Sequence, residues 1–196
     1  MTPRLRKLGL SLHVVLSVGW LGAVLTFLVL ALASFSRDPA LARAAYLTLA
    51  VVGRGVLLPL SLGAIVSGVV QSLGTKWGLF RHYWVVVKLV LTVFATAALY
   101  VHQTTVITES ARLAADATAS LLQGGRLHEL GVQLVADSSI AVLLLLGITL
   151  IAVYKPWGVV GYVTRSLKVC LAAVTALVVA FIALHLSGHS PHRHSH

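Results

Sequence analysis

Five apolar runs separated by short polar clusters organise the chain: 8–34, 56–73, 83–104, 139–154 and 167–186. A membrane crossing needs roughly 20 predominantly apolar residues rising about 1.5 Å each. The fourth run is short by itself, but 134–136 extends it past Asp137. In hydrocarbon every backbone N–H and C=O must pair inside the protein, and five crossings do not close a barrel, so the runs are predicted to be helices. The expected fold is all-α: a polytopic transmembrane helical bundle with spans at about 8–34, 46–73, 83–106, 134–154 and 166–187. No Ser/Gly-rich linker divides it, which makes 1–186 a single domain followed by a polar, histidine-rich and disordered tail at 187–196.

The polar clusters are not alike. Asp38, Glu109, Asp116, Glu129 and Asp137 all fall after the first run or between the third and fourth. The opposite ends carry Arg4, Arg6, Lys7, Lys76, Arg81, Lys155, Arg165 and Lys168 without a carboxylate. Basic residues concentrate on the cytoplasmic side of membrane proteins, so the N-terminus is expected inside and the C-terminus outside. Trp77, Tyr83, Trp84, Tyr154, Trp157 and Tyr162 gather at the same ends, as an interfacial aromatic belt would.

Composition agrees: 58% of residues are hydrophobic and only 10% charged. The formal charge of +10 is scattered over segment ends, which fits anionic lipid headgroups rather than nucleic acid. The first run has a basic flank but is too long, and lacks the small-residue site, for a cleaved signal peptide. Cys170 is the only cysteine and excludes disulfides within the chain.

Local signals refine the picture. Pro59 is expected to bend the second helix and free a carbonyl near Gly55. Arg54, Ser61 and Gly68 recur at seven-residue spacing, a stripe expected to face the bundle interior. Residues 108–122 are rich in helix formers, Gly124-Gly125 interrupts them, and Leu127, Leu130 and Leu134 then share one face. The third and fourth helices should therefore continue outward as a helical hairpin. The Lys155-Pro156-Trp157-Gly158 sequence reads as a turn.

Polar side chains at membrane depth are costly unless paired, which makes them the candidates for chemistry. His13 lies about 9 Å inward from Lys7, and Lys88 about 10 Å inward from Arg81, at similar depth on helices entering from the same side. A second layer holds His102 and His185, with Arg54 and Asp137 at comparable height. Lys88 and His102 share a face of the third helix about 21 Å apart. An imidazole is a good ligand for haem iron, copper or zinc, and bundles hold such groups between facing helices. No carboxylate lies in a membrane run proper, which argues against a carboxylate proton relay of the pump type. Phosphate-loop, H-E-x-x-H and G-x-S-x-G motifs are absent from the sequence.

Leu12-His13 followed by Gly19-Trp20-Leu21-Gly22, Arg54 ahead of Pro59 and Gly63, and Trp84 ahead of Lys88-Leu89 and His102 form a recognisable set. Over about the first three helices the chain resembles a family of predicted integral membrane proteins of unknown function. More distantly, it resembles HemJ-type protoporphyrinogen oxidases and CopD-like copper-resistance proteins. The HemJ likeness implies haem b at His13 and a functional Lys88; Arg54 is a candidate propionate partner and Trp20 a candidate cofactor neighbour. The proline-arginine-aromatic run that follows the first-helix motif in HemJ-type proteins is replaced by Ala23-Val24-Leu25, so haem binding carries over better than porphyrinogen oxidation. The CopD likeness implies copper at His13, His102 and His185, with the tail histidines as a capture site.

The expectation is a multi-pass protein of the bacterial plasma (inner) membrane that binds haem b and serves a redox role. Copper handling or transport is one alternative. A non-catalytic subunit that docks a membrane-protein partner, or a homo-oligomer, is the other.

Overall fold

The computed structural model describes residues 2–74, 82–118, 122 and 125–155. Among them the chain is helical almost throughout and contains no strand. Four helices are each long and apolar enough to cross a membrane: α1 (Pro3–Ala33), α2 (Pro39–Leu73), α3 (Tyr83–Asp116) and α4 (Gly125–Tyr154). The expected fifth span at 166–187, with His185, and the tail at 187–196 lie outside the described residues.

Capping side chains and proline define the first two helices. Thr2 accepts from the Leu5 N–H and Pro3 opens α1, where its missing N–H costs nothing. At the far end the buried Ser34 hydroxyl donates to the Ala31 carbonyl at 2.7 Å. Asp38 then caps α2 by accepting from the Ala40 N–H at 2.9 Å, with Pro39 at the first helical position. Gly125, at φ +60°, begins α4, and Lys155, at φ 45°, ends it.

Two helices contain a π-helical turn, one at Gly53–Leu57 in α2 and one at Gln103–Ile107 in α3. The first follows from Pro59. Proline has no N–H for the Gly55 carbonyl and its ring crowds that carbonyl. The turn widens instead, and the Leu58 N–H reaches back five residues to the Gly53 carbonyl. The expected bend at Pro59 thus appears as an inserted residue. In α3 the turn is lined by threonines: Thr104 and Thr105 donate to the Val101 carbonyl at 2.9 and 2.8 Å, and Thr108 to the Gln103 carbonyl at 2.6 Å. Hydroxyls that take backbone carbonyls compete with regular helix hydrogen bonds and favour such local departures.

The widened turn resets which side of α2 is buried. Leu49, Gly53, Leu57 and Ser61 face the interior at steps of four, which a regular helix would rotate out of line. Arg54 is therefore exposed and does not share the buried face of Ser61, contrary to the seven-residue spacing.

The helices form a ring. α1 packs along α2 and α4, and α3 packs on the second half of α2 and on α4, which leaves α1 and α3 diagonal. Trp20, Val24, Phe27 and Ala31 of α1 point to the centre, while Leu8, Val15, Val51 and Leu143 are two-thirds or more exposed on the periphery. An apolar exterior of that kind is what lipid covers.

Beyond the apolar stretches the helices continue as one body. The hairpin of α3 and α4 is joined by the first half of α2, so this layer has three helices rather than two. An Arg43 guanidinium N–H donates to the Ala117 carbonyl. His128 stands edge-on to Phe35, with ring centroids 5.2 Å apart. Tyr46, 1% exposed, donates its hydroxyl to the Leu127 carbonyl at 3.0 Å. Leu127, Leu130 and Leu134 are buried together, as their spacing predicts. Tyr46→Phe removes that second bond to the Leu127 carbonyl, already taken by the helix, and is expected to lower stability by about 1 kcal/mol. An unfolding titration showing no change would mean that water reaches Leu127.

Candidate functional site

Two polar sites lie along the bundle. The first is built on His13, half-buried on α1, whose Nδ1 is 3.0 Å from the Ser67 hydroxyl of α2. Ser67 donates its own proton to the Gly63 carbonyl at 2.6 Å. The hydroxyl can therefore meet His13 only as an acceptor, so His13 carries its proton on Nδ1 and presents Nε2 as the lone-pair nitrogen. Gly68 permits this placement, because a Cβ there would be 3.1 Å from His13 Cε1. A small residue on α2 is what lets the imidazole approach it so closely.

Lys88 of α3 is close enough for its charge to act on the His13 ring. Its ammonium also lies 5.9 Å from the centroid of Trp84, and Lys155 lies 5.8 Å from the same centroid. An aromatic face stabilises ammonium groups withdrawn from water. The site thus joins a lone-pair nitrogen to a nearby cation.

The second site is on the opposite half of α3. His102 Nδ1 is 3.1 Å from Asp137 Oδ2, and the two side chains are 8% and 10% exposed. Asp137 does not merely lead into a span: α4 begins at Gly125 and embeds the carboxylate in the bundle. A carboxylate at Nδ1 fixes the orientation of an imidazole and stabilises its protonated form.

His102 and Asp137 border a cavity of about 90 Å³ in the centre of the ring. Trp20, Val24 and Phe27 of α1, Leu57 of α2, the stripe from Leu91 to His102 on α3, and Asp137 to Leu145 on α4 line it. Apart from the His102–Asp137 end the lining is almost wholly apolar. Trp20 is 4% exposed, and its indole N–H has no hydrogen-bond partner among the described residues.

The predicted residues are thus divided rather than gathered. His13 and Lys88 share one site. Trp20, about 10 Å along α1 from His13, and His102 belong to the cavity. Arg54, exposed and about 20 Å along α2 from Ser67, belongs to neither, because the π turn rotates it outward. His185 lies outside the described residues, among which no three His, Cys, Asp or Glu side chains converge as metal ligands would.

Ser67 and Gln103 were not singled out by sequence, and Asp137 was placed only at the height of His102, not as its partner. For Asp137 a signal exists: it continues the Leu127, Leu130, Leu134 spacing and so belongs to the same buried face. Comparison with protein-family models, curated proteins and solved structures gave no match.

Proposed function

We propose that this is a five-span protein of the bacterial plasma membrane, N-terminus inside and C-terminus outside, which binds haem b through His13 and serves a redox role. The observation that carries the reading is the Ser67 hydroxyl holding His13 Nδ1 at 3.0 Å while donating to Gly63. A metal-ligating histidine commonly gives its other ring N–H to such an acceptor, which fixes the tautomer and raises the basicity of the ligating nitrogen.

The donor chemistry of His13 would suit one protein nitrogen ligand to haem iron. The central cavity is not the place for the macrocycle, since about 90 Å³ is below the roughly 300–1,000 Å³ of cofactor pockets and His13 does not line it. When bound, haem supplies one-electron chemistry. Ser67 would orient the imidazole, and Lys88 would be the cation available to a propionate. Arg54 is too far along α2 to share that role.

The test is a haem titration of the full-length protein purified in detergent. A saturable Soret band should form in the wild type and be lost in His13→Ala. Ser67→Ala should weaken affinity by about tenfold or more, as removal of an outer-shell partner does. Absence of a Soret band, or full haem content in His13→Ala, would overturn the reading.

Copper handling is the second reading, favoured by the N/O donor pair of His102 and Asp137. Elemental analysis decides it: copper bound by wild type and lost in His102→Ala with the tail removed supports it, and unchanged stoichiometry excludes it.

A further inference from the structure

Two ammonium groups share one indole at the end of the bundle where α3 begins and α4 ends. Lys88 belongs to the second turn of α3, and its side chain runs back along the helix, as helical side chains do, to within 5.9 Å of the Trp84 centroid. Lys155, the residue after α4, brings its own Nζ to 5.8 Å from the same centroid. The two charges are close enough to act on each other. Trp84 is 9% exposed, so the ring they share is part of the packed bundle.

No carboxylate side chain of the protein balances these charges. All five acids, Asp38, Glu109, Asp116, Glu129 and Asp137, are among the described residues. Asp137 is held at His102, about 21 Å along α3 from Lys88, and Glu109 lies about 31 Å along the same helix. The other three belong to the layer at the opposite end. An aromatic face offsets only part of the cost of holding ammonium groups together near hydrocarbon, and an anion relieves the rest.

The position of the pair restricts the anion. The first turn of α3 and the last of α4 are where the apolar helices end, which is the level of lipid phosphates rather than of acyl chains. A zwitterionic headgroup would bring its own ammonium against the lysines, so a net negative one is preferred. Basic pockets between membrane helices select acidic headgroups in this way. Leu146, Leu150 and Val153 are exposed on α4 ahead of Lys155 and offer acyl chains an apolar surface.

We propose that Lys88 and Lys155, gathered at Trp84, bind the phosphate of an acidic phospholipid whose chains lie along the last turns of α4. The proposal does not rest on haem at His13, and its test uses haem-free protein.

The test is a lipid titration of the full-length protein, delipidated in detergent and read by native mass spectrometry. One dioleoylphosphatidylglycerol should bind saturably, about tenfold tighter than dioleoylphosphatidylcholine. Lys88→Gln and Lys155→Gln should each weaken the phosphatidylglycerol adduct by about fivefold, and together they should erase the preference. Lys155 is exposed, so its variant keeps the test decisive even where Lys88→Gln does not fold. Lys88→Arg keeps the charge and should retain the preference. Lys7→Gln removes a cation from α1, diagonal to α3, and should leave the affinity unchanged. Equal affinity for the two lipids would overturn the proposal. So would a loss in Lys7→Gln as large as in Lys155→Gln, because the basic end would then act only through its total charge. Full displacement of phosphatidylglycerol by millimolar inorganic phosphate would assign the site to free phosphate and overturn the lipid source.

Discussion

Substituting alanine for His102 should destabilise the bundle by about 2–3 kcal/mol, the cost of leaving a buried polar group without the partner opposite it. The penalty arises from what remains: the Asp137 carboxylate, its side chain 10% exposed, would lose the group facing it at 3.1 Å. Replacing both residues with leucine should recover most of the loss, since a well-packed apolar pair of similar volume is often as stable as the ions it replaces. The measurement is the unfolding free energy of both variants and wild type in bicelles by steric trapping. A single variant within about 1 kcal/mol of wild type would show that water already solvates the pair, as for surface ion pairs.

Gly53→Val should lower stability by up to about 3 kcal/mol, and even Gly53→Ala should destabilise. Inside an ordinary helix glycine is about 0.5–1 kcal/mol worse than alanine, so the sign here is reversed. The cause is the contact between the two π turns. A Cβ on Gly53 would overlap Gln103 Oε1, stand 3.2 Å from Gln103 Cδ and 3.5 Å from Ile107 Cδ1. Gln103 is 3% exposed and has little room to withdraw. Gln103→Ala should therefore rescue Gly53→Ala. If Gly53→Ala raises the melting temperature on its own, α2 and α3 are farther apart than described.

Much of this fold was legible because lipid imposes simple conditions. Unbroken apolar runs forced helices, and the expected break at Gly124-Gly125 agrees with α4 starting at Gly125, whereas the start of α2 at Pro39, seven residues before the expected span, was missed. Lys88 and His102 were expected to share a face of α3, and His102, with Ala95 two turns before it, lines the cavity. What spacing could not convey was a change of period inside a helix. Arg54 and Ser61 align at 3.6 residues per turn, but the strain at Pro59 is absorbed upstream as one extra residue, and the arginine turns outward. The partner of His102 was equally hidden, because Asp137 precedes its apolar run and so resembles an end residue until the length of α4 is known. Pairing between helices is a property of the ring, which no single-helix pattern encodes.

The two widened turns also bear on ancestry. Each is one amino acid concealed in an unbroken helix, so a homologue with uniformly wound segments would be one position shorter there. Superposing the two chains without a gap at residues 53–57 would put every upstream position of α2 out of phase by about 100°. A deletion of Gly55 would test the same relation within one protein, since it would turn Arg54 back toward the interior.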